Sequence, residues 1–501
     1  MSKEKLIDLD REQFSLLHAI LKQHIPNKTV WAYGSRATWK AGETSDLDLA
    51  VFDCTPMEIY HLKEELEESD LLVSVDVMDW ESIPESFREN IGEKYVVVQK
   101  EAMRPEGWRE VRLGDVAEIN PKETIPKGAK APKVLMDFLV PHTKRIPEYI
   151  VENYKGGSKF KNGDTLVARI TPCLENGKTS FVDFLENDQV GFGSTEFIVL
   201  REKQGVTDRH YLYYLAVSDD FRDIAVKSMT GTSGRQRVVT DEILRYKFFL
   251  PELPEQKAIV EVLSSLDDKI DLLHRQNKTL EDMAQALFRE WFVHGRNDTW
   301  EQGKLGEVFT VKGGATPSTK EKNYWNGDIN WTTPRDLSGH NAIFLLDTEK
   351  RITEQGLAKI SSGLLPAGTV LLSSRAPVGY LAITDIDLAI NQGYIAIVCN
   401  KILSNYFVYL WGKHHIKIIK KSSGGTVFQE IPKSVFRQID IAIPPEKVLS
   451  SFDQLIKPIF QKVKYNQYQI RKLENLRDTL LPKLMNGSVR AKVDELITRV
   501  K

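Results

Sequence analysis

Residues 251–293 read PELPEQKAIVEVLSSLDDKIDLLHRQNKTLEDMAQALFREWFV. Ile259, Leu263, Leu266, Ile270, Leu273, Asn277, Leu280, Ala284, Leu287 and Trp291 follow one another at alternating spacings of four and three. That is the a/d seam of a heptad pattern, kept for about four and a half repeats. Asn277 is its one polar member, of the kind that fixes register at some cost in stability. Roughly 40 helical residues at about 1.5 Å each make a rod of about 60 Å. A compact domain needs no such rod, so the stretch predicts a spacer or an assembly strut.

A second seam runs through Leu449, Phe452, Ile456, Ile459, Val463, Asn466, Ile470, Leu473, Arg477, Leu480 and Leu484, and it too carries an Asn. Both stretches follow a proline pair, Pro251/Pro254 and Pro444/Pro445, and both contain Leu-Glu at the same relative place, Leu280-Glu281 and Leu473-Glu474. A single seam cannot bury itself. A core helix or a homodimer zipper would cover one. Two matching seams in one chain predict that they pack on each other, antiparallel.

The composition is that of a folded globular protein, 41% hydrophobic and 28% charged, and 501 residues imply three domains or so. No apolar run approaches the length of a membrane span, and MSKEKLIDLD is too polar to start a signal peptide. Cys54, Cys173 and Cys399 are scattered without metal-ligand spacing, which predicts a reducing, cytoplasmic setting. The net charge of −2 hides an asymmetry. Residues 1–102 hold 11 Lys+Arg against 21 Asp+Glu, a net of −10, and the remainder 57 against 49, a net of +8. An acidic head should avoid DNA phosphates, whereas a basic body can approach them.

In the head, an amphipathic helix is expected over residues 10–25, with Phe14, Leu17, Ile20 and Leu21 on one face. A short strand, Val30–Tyr33, leads into Gly34-Ser35-Arg36-Ala37, and ten residues separate Ser35 from Asp46-Leu47-Asp48-Leu49-Ala50-Val51. Strand alternation puts Asp46 and Asp48 on one face. Two carboxylates so placed can share a divalent metal that grips a nucleotide triphosphate. Gly34 lets the backbone come close to a phosphate, and Ser35 offers a hydroxyl and an N–H. A later strand, Val73–Asp79, supplies Asp76, with Asp79 a near neighbour for the same role. Gly-Ser, ten residues, Asp-x-Asp and a later strand Asp together resemble the nucleotidyltransferase superfamily, nearest to minimal antitoxins that transfer AMP to a partner toxin. The resemblance implies Mg²⁺ on Asp46, Asp48 and Asp76, with these three as the catalytic acids, and ATP phosphates on Gly34 and Ser35. An active transferase and a catalytically idle fold both remain open.

Met103-Arg-Pro-Glu-Gly-Trp108 punctuates a linker, as if a separate protein had once started there. Beyond it the chain repeats. Trp108-Arg-Glu-Val-Arg-Leu-Gly-Asp-Val116 recurs as Trp300-Glu-Gln-Gly-Lys-Leu-Gly-Glu-Val308, a shift of 192, while Pro251 to Pro444 is a shift of 193. Lys161–Arg169 loosely matches Pro366–Arg375, each a Gly turn, a buried β-run and then an exposed arginine. Gly193–Leu200 parallels Asn391–Val398. Two Gly-rich polar loops expected to be flexible, 228–238 and 422–431, carry Arg235, Gln236 and Arg237 in one copy and Thr426 and Gln429 in the other. Arg and Gln have bidentate geometry for guanine and adenine edges. Arg169 and Arg375 are further DNA-contact candidates, and Lys421 is a candidate for a phosphate.

The tandem copies, the Leu-Pro-Glu-Gln-Lys-Ala-Ile helix start and the Thr-Leu-Leu-Pro-Lys-Leu-Met-Asn-Gly ending resemble the specificity subunit of type I restriction–modification systems. The resemblance implies an α+β chain with these parts: a nucleotidyltransferase-like α/β domain (1–102), target-recognition domains (103–250 and 295–445), spacer helices (251–294 and 446–490) and a tail (491–501). It implies partners as well: duplex DNA, two methyltransferase subunits and restriction subunits, with S-adenosylmethionine held by the methyltransferase and a toxin as partner for the head. The body would be non-catalytic. The rival is an enzyme, in which the body only places a transferase head on DNA or on the restriction complex. A third reading, a coiled-coil scaffold, predicts no DNA footprint at all.

Overall fold

The computed structural model describes residues 6–25, 28–42, 45–99, 106–186, 188–232, 234–337, 342–375, 377–424 and 429–491. Met103, most of the tail and Thr426 lie outside them. The chain divides into two compact units, Met1–Val260 with Leu480–Lys501, and Glu261–Thr479. Among the described residues no helix is long and apolar enough to cross a membrane.

In the head, β1 (Val30–Tyr33), β2 (Leu47–Val51), β3 (Val75–Asp79) and β4 (Val96–Gln99) form one sheet in the order β3-β2-β1-β4. Only the β2–β3 pair is parallel. The helix between β2 and β3, Pro56–Glu68, makes that crossover. It starts on a capping box in which Thr55 and Glu58 satisfy each other's backbone N–H groups. Alternate strand residues, Val30, Ala32, Leu47, Leu49 and Val77, face a core shared with Leu17, Ile20 and Leu21 of helix Arg11–His24. The helix expected at the start of the chain therefore forms, and its apolar stripe faces inward.

The two globular copies share one topology, which is stronger evidence of duplication than the sequence matches. In the first, the strands run Thr179–Phe181, Thr165–Ala168, Phe197–Glu202, Ala117–Ile119 across the main sheet. In the second, the order is Leu381–Thr384, Val370–Ser373, Tyr394–Val398, Thr310–Gly313, with Phe344–Leu345 added outside the first of these. A smaller sheet repeats as well. Lys130–Val134 pairs antiparallel with Ile150–Asn153 and parallel with Gly191–Gly193, as Trp325–Thr332 does with Lys350–Ile352 and Ala389–Ile390. Each copy then closes on a two-stranded ribbon between its start and its end, Arg109–Arg112 with Lys247–Leu250 and Glu301–Lys304 with Asp440–Ile443.

The pairing also corrects the internal alignment. Thr165 stands opposite Leu200, and Val370 opposite Ile397, so Val370 takes the place of Thr165, a shift of 205. The shift is near 193 only at the ends of each copy. The second copy has inserted residues ahead of its Gly turn and lost residues after it. Within this frame Arg169 corresponds to Ser374 and Ile170 to Arg375, one residue away from the match by sequence.

Both rods form: Leu253–Arg289, 37 residues, and Glu446–Met485, 40 residues. Within the second unit they pair antiparallel. Asp267 meets Arg477 at 3.0 Å, Asn277 meets Asn466 at 2.9 Å, and Phe288 approaches Phe452 with ring centroids 6.3 Å apart. Ile270, Leu273 and Ile470 are buried between them, with Leu473 packed alongside. The seam drifts at the end of the first rod, where Phe288 and Phe292 are buried in place of the expected Leu287 and Trp291. A straight α-helix has 3.6 residues per turn, so its apolar stripe creeps by about 20° per heptad. There the rod also packs into the second copy's core, where Phe292 meets Phe407 at 4.9 Å while still touching Phe452 of the second rod at 4.7 Å. A π-turn, Glu290–His294, ends it.

In the first unit, Glu255 on the opening turn of the first rod accepts from Trp108 Nε1 at 2.9 Å and from Arg490 Nε and Nη2 at 2.5 and 2.7 Å. The Arg490 guanidinium lies over the Trp108 ring, 5.9 Å from its centre. The end of the duplicated part is thus fastened to its beginning.

Candidate nucleic-acid interface and candidate active site

In the head, strand register positions the acids. Tyr33 stands opposite Asp48 across β1–β2, and Asp48 opposite Asp76 across β2–β3. Alternation gives these three the sheet face opposite the core. Asp46 lies one residue ahead of β2. Asp79 belongs to the other face, in register with Val51, and its carboxylate accepts from Glu81 N at 3.2 Å. Asp76, not Asp79, therefore shares a face with Asp48.

Gly34 comes directly after Tyr33 with φ +76°, and a Cβ there would lie 2.3 Å from Asp48 Oδ2. A side chain there would have to push that carboxylate aside. Ser35 follows in the same one-turn helix, Gly34–Ala37, half-buried. Arg36 is buried and donates to the carbonyls of Asp8 and Ser45, both at 2.8 Å. It holds the segment that leads into Asp46, a role nothing in the sequence pattern assigned.

Burial holds the Asp48 carboxyl above the usual range, and Asp76 and then Asp46 push it further in the same direction. Burial, Asp48 and Asp76 push the Tyr33 hydroxyl up to about 12. Negative charge here is crowded, and no cation contributes to either shift. Oxygen donors with surplus negative charge suit a hard divalent cation. By charge and register Asp46, Asp48 and Asp76 fit such an ion. Among the described residues, however, no three Asp, Glu, His or Cys side chains converge closely enough to hold one as they stand.

The two Gly-rich loops are laddered hairpins. In the first copy Thr230 and Arg237 exchange backbone hydrogen bonds at 3.0 and 2.9 Å. The hairpin is bound in turn to the strand end, through Thr171 N to Gln236 O at 3.1 Å and Val238 N to Arg169 O at 2.9 Å. In the second copy Gly424 and Glu430 exchange bonds at 3.0 Å each, and Ile431 N donates to Ser374 O at 3.0 Å. Glu430 thus occupies the place of Arg237.

The side chains divide sharply. Arg237 and Arg169 are both tied to Glu196, at 2.8 Å through Arg237 Nη2 and at 3.1 Å through Arg169 Nε. Arg235 is exposed and Gln236 half-buried. Arg375 is half-buried and forms a β-bridge with Glu430, while Lys421 and Gln429 are exposed. The first copy therefore gathers Arg169, Arg237, Gln236 and Arg235 around one strand end. In the second, Arg375 and Gln429 come to the matching place without an equivalent of Glu196, since Gly393 stands there. Glu196 went unrecognised in the sequence, because only the pairing of two distant segments brings it to the arginines.

A family model described as the type I restriction modification DNA specificity domain matches residues 105–282 and again residues 297–476. The chain belongs to that family. The HindI specificity subunit of Haemophilus influenzae is 25% identical to this specificity protein over 467 residues, covering 76% of the chain and 99% of the relative. The MjaIX specificity subunit of Methanocaldococcus jannaschii is 40% identical over 182 residues, and there the match spans 34% of the chain and 42% of the relative. Residues 16–102 match a polymerase beta nucleotidyltransferase model. Over 97 residues the chain is 43% identical to the probable protein adenylyltransferase MntA of Haemophilus influenzae, covering 19% of the chain and 85% of that relative. The specificity protein thus carries a nucleotidyltransferase domain ahead of its two specificity domains, which agrees with the two resemblances read from the sequence.

Proposed function

We propose that the duplicated part reads a bipartite, asymmetric duplex DNA site, one half per globular domain, and that its rods dock two methyltransferase subunits, which restriction subunits join. One observation carries this reading. Two domains that share the order of their main strands present unlike residues at equivalent places, Arg237 against Glu430 and Glu196 against Gly393. A pair of domains that kept its fold and changed its loop chemistry suits duplex DNA, whose near-symmetric backbone accepts two alike scaffolds while the bases under each differ. The chain contains no Asn-Pro-Pro-Tyr/Phe sequence, so S-adenosylmethionine belongs to the methyltransferase partner. Footprinting of the chain with its cognate methyltransferase on a randomised duplex pool should recover a split site, with affinity falling steeply as salt rises. A complex that protects no sequence overturns the reading.

A second activity is supported by the crowded acids of the head. We infer that Asp46, Asp48 and Asp76 hold Mg²⁺, that Gly34 and Ser35 face the phosphates of ATP, and that AMP passes to a hydroxyl of a protein partner with release of pyrophosphate. A toxin is the expected acceptor. The ion would supply charge neutralisation on the phosphates. Of the chain's own groups, Gly34 leaves room beside Asp48, and Arg36 holds the approach to Asp46. Incubation with α-labelled ATP, Mg²⁺ and candidate acceptors should label the acceptor, and the Asp46→Asn/Asp48→Asn chain should not. Label that persists in the double variant rules out this site.

A further inference from the structure

We propose that Arg237 is a base-reading arginine braced by Glu196, that it recognises a guanine in the half-site under the first domain, and that the second domain has no counterpart. The inference rests on the DNA-reading function proposed above and deepens it.

The geometry is specific about which part of the guanidinium is engaged. Arg237 Nε lies 3.0 Å from both Glu196 oxygens, and Nη2 lies 2.8 Å from Oε1. Glu196 therefore takes the Nε/Nη2 edge. Nη1 and the second hydrogen of Nη2 are left to point away from the carboxylate. That remaining end is the pair of donors that meets guanine O6 and N7. Exposure agrees with this direction: the Arg237 side chain is 46% exposed, against 20% for Glu196. Glu196 cannot itself reach out to a base, because its other oxygen also accepts from Arg169 Nε at 3.1 Å.

The backbone is equally fixed. Arg237 donates to and accepts from Thr230, and its neighbours Gln236 and Val238 bond to Thr171 and Arg169. A long side chain held by its stem and by one edge of its head has little rotamer freedom left to lose on binding. Generic phosphate contacts need no such brace, since a carboxylate beside the cation weakens them. The ionised form is favoured as well. Arg237 and then Arg169 hold the Glu196 carboxyl below the usual glutamate range, so the brace is charged at neutral pH.

The second copy has dismantled the whole arrangement. Glu430, Gly393 and Ser374 occupy the places of Arg237, Glu196 and Arg169. A guanine read this way should therefore appear on one side of the split site only.

The test is selection from a randomised duplex pool by the full chain with its cognate methyltransferase. The wild-type complex should fix a G·C pair at one position of one half-site. Arg237→Gln should lose that preference by about tenfold or more while leaving the other half-site unchanged. Arg237→Lys keeps the charge without the planar fork, so it should lose the preference yet keep overall affinity. Glu196→Gln, a near-isostere that leaves the fold alone, should relax the same position by a smaller factor. The inference is overturned if Arg237→Gln weakens all sequences equally, if Arg237→Lys keeps the preference, or if Glu196→Gln changes nothing. A wild-type complex that selects no sequence overturns the DNA-reading function instead, and the inference falls with it.

Discussion

Gly34 shows how a single missing atom can decide a site. With φ at +76° and Asp48 Oδ2 where a Cβ would stand, Gly34→Ala is strained twice over. It should cost about 1–2 kcal/mol in backbone strain and displace Asp48, abolishing label transfer while the sheet still folds; circular dichroism beside the transfer assay checks both. Asp48 itself is repelled by Asp76 and Asp46. Asp48→Asn should therefore raise the thermal midpoint of the metal-free chain, and Mg²⁺ should raise the midpoint of the wild type but not of the variant. Equal Mg²⁺ shifts in both would show that the ion binds elsewhere. His415 supplies a different kind of residue effect. It stacks on Trp411 with ring centroids 4.5 Å apart. Burial lowers its pKa, with further lowering from His414 and Arg296, against a raising hydrogen bond to the Trp411 carbonyl. A histidine depressed in the folded state takes up protons more readily when unfolded. Stability should therefore fall as pH drops below about 6.5 towards the depressed value, and thermal melts at pH 7.5 and 5.5 should show the loss shrink in His415→Phe.

At the scale of elements, the rods carry two polar contacts inside an apolar seam. Asn466 is fully buried, and among the described residues its Oδ1 has no hydrogen-bond partner, although its Nδ2 meets Asn277. An unsatisfied buried acceptor costs about 1–3 kcal/mol. Asn277→Leu/Asn466→Leu together should therefore raise the melting temperature, while loosening the register that the pair enforces. Arg477→Met should do the opposite, by taking the 3.0 Å ion pair away from Asp267, whose side chain is 8% exposed, at a cost of about 3–5 kcal/mol. Adding Asp267→Leu should recover most of that loss in a denaturant melt. Heptad spacing made both rods and the Asn in each seam legible in advance, because a seam of a single period leaves few ways to be covered; that the two Asn residues meet came only with the structure. It could not show Phe288 and Phe292 replacing Leu287 and Trp291, since that follows from where the rod meets a domain core. Alternation likewise made the shared face of Asp48 and Asp76 legible, but not the place of Asp46, which the sequence put in the strand and the structure puts one residue ahead of it. The alignment of Arg375 with Arg169 failed because insertions shift one copy against the other by an amount that only strand pairing reveals. Glu196 was invisible for the same cause.

At the scale of the whole molecule, charge and duplication set what can be measured. The head carries a net of −10 and the rest +8. A chain lacking residues 1–102 should hold non-specific duplex DNA more tightly at low salt, keep the same selected sequence, and lose label transfer; a changed sequence preference would place part of the reading in the head. The tie between Glu255, Trp108 and Arg490 has one more consequence. Because the duplicated stretch returns to its own origin, its ends are interchangeable with any other exposed break. Residues 295–299, between the copies, are all exposed. A circular permutant opened there, with Arg490 joined to Glu106 by a short peptide, should fold with its hairpins, ribbons and rods intact: topologically, residues 106–490 form a ring that the gene happens to write as a line.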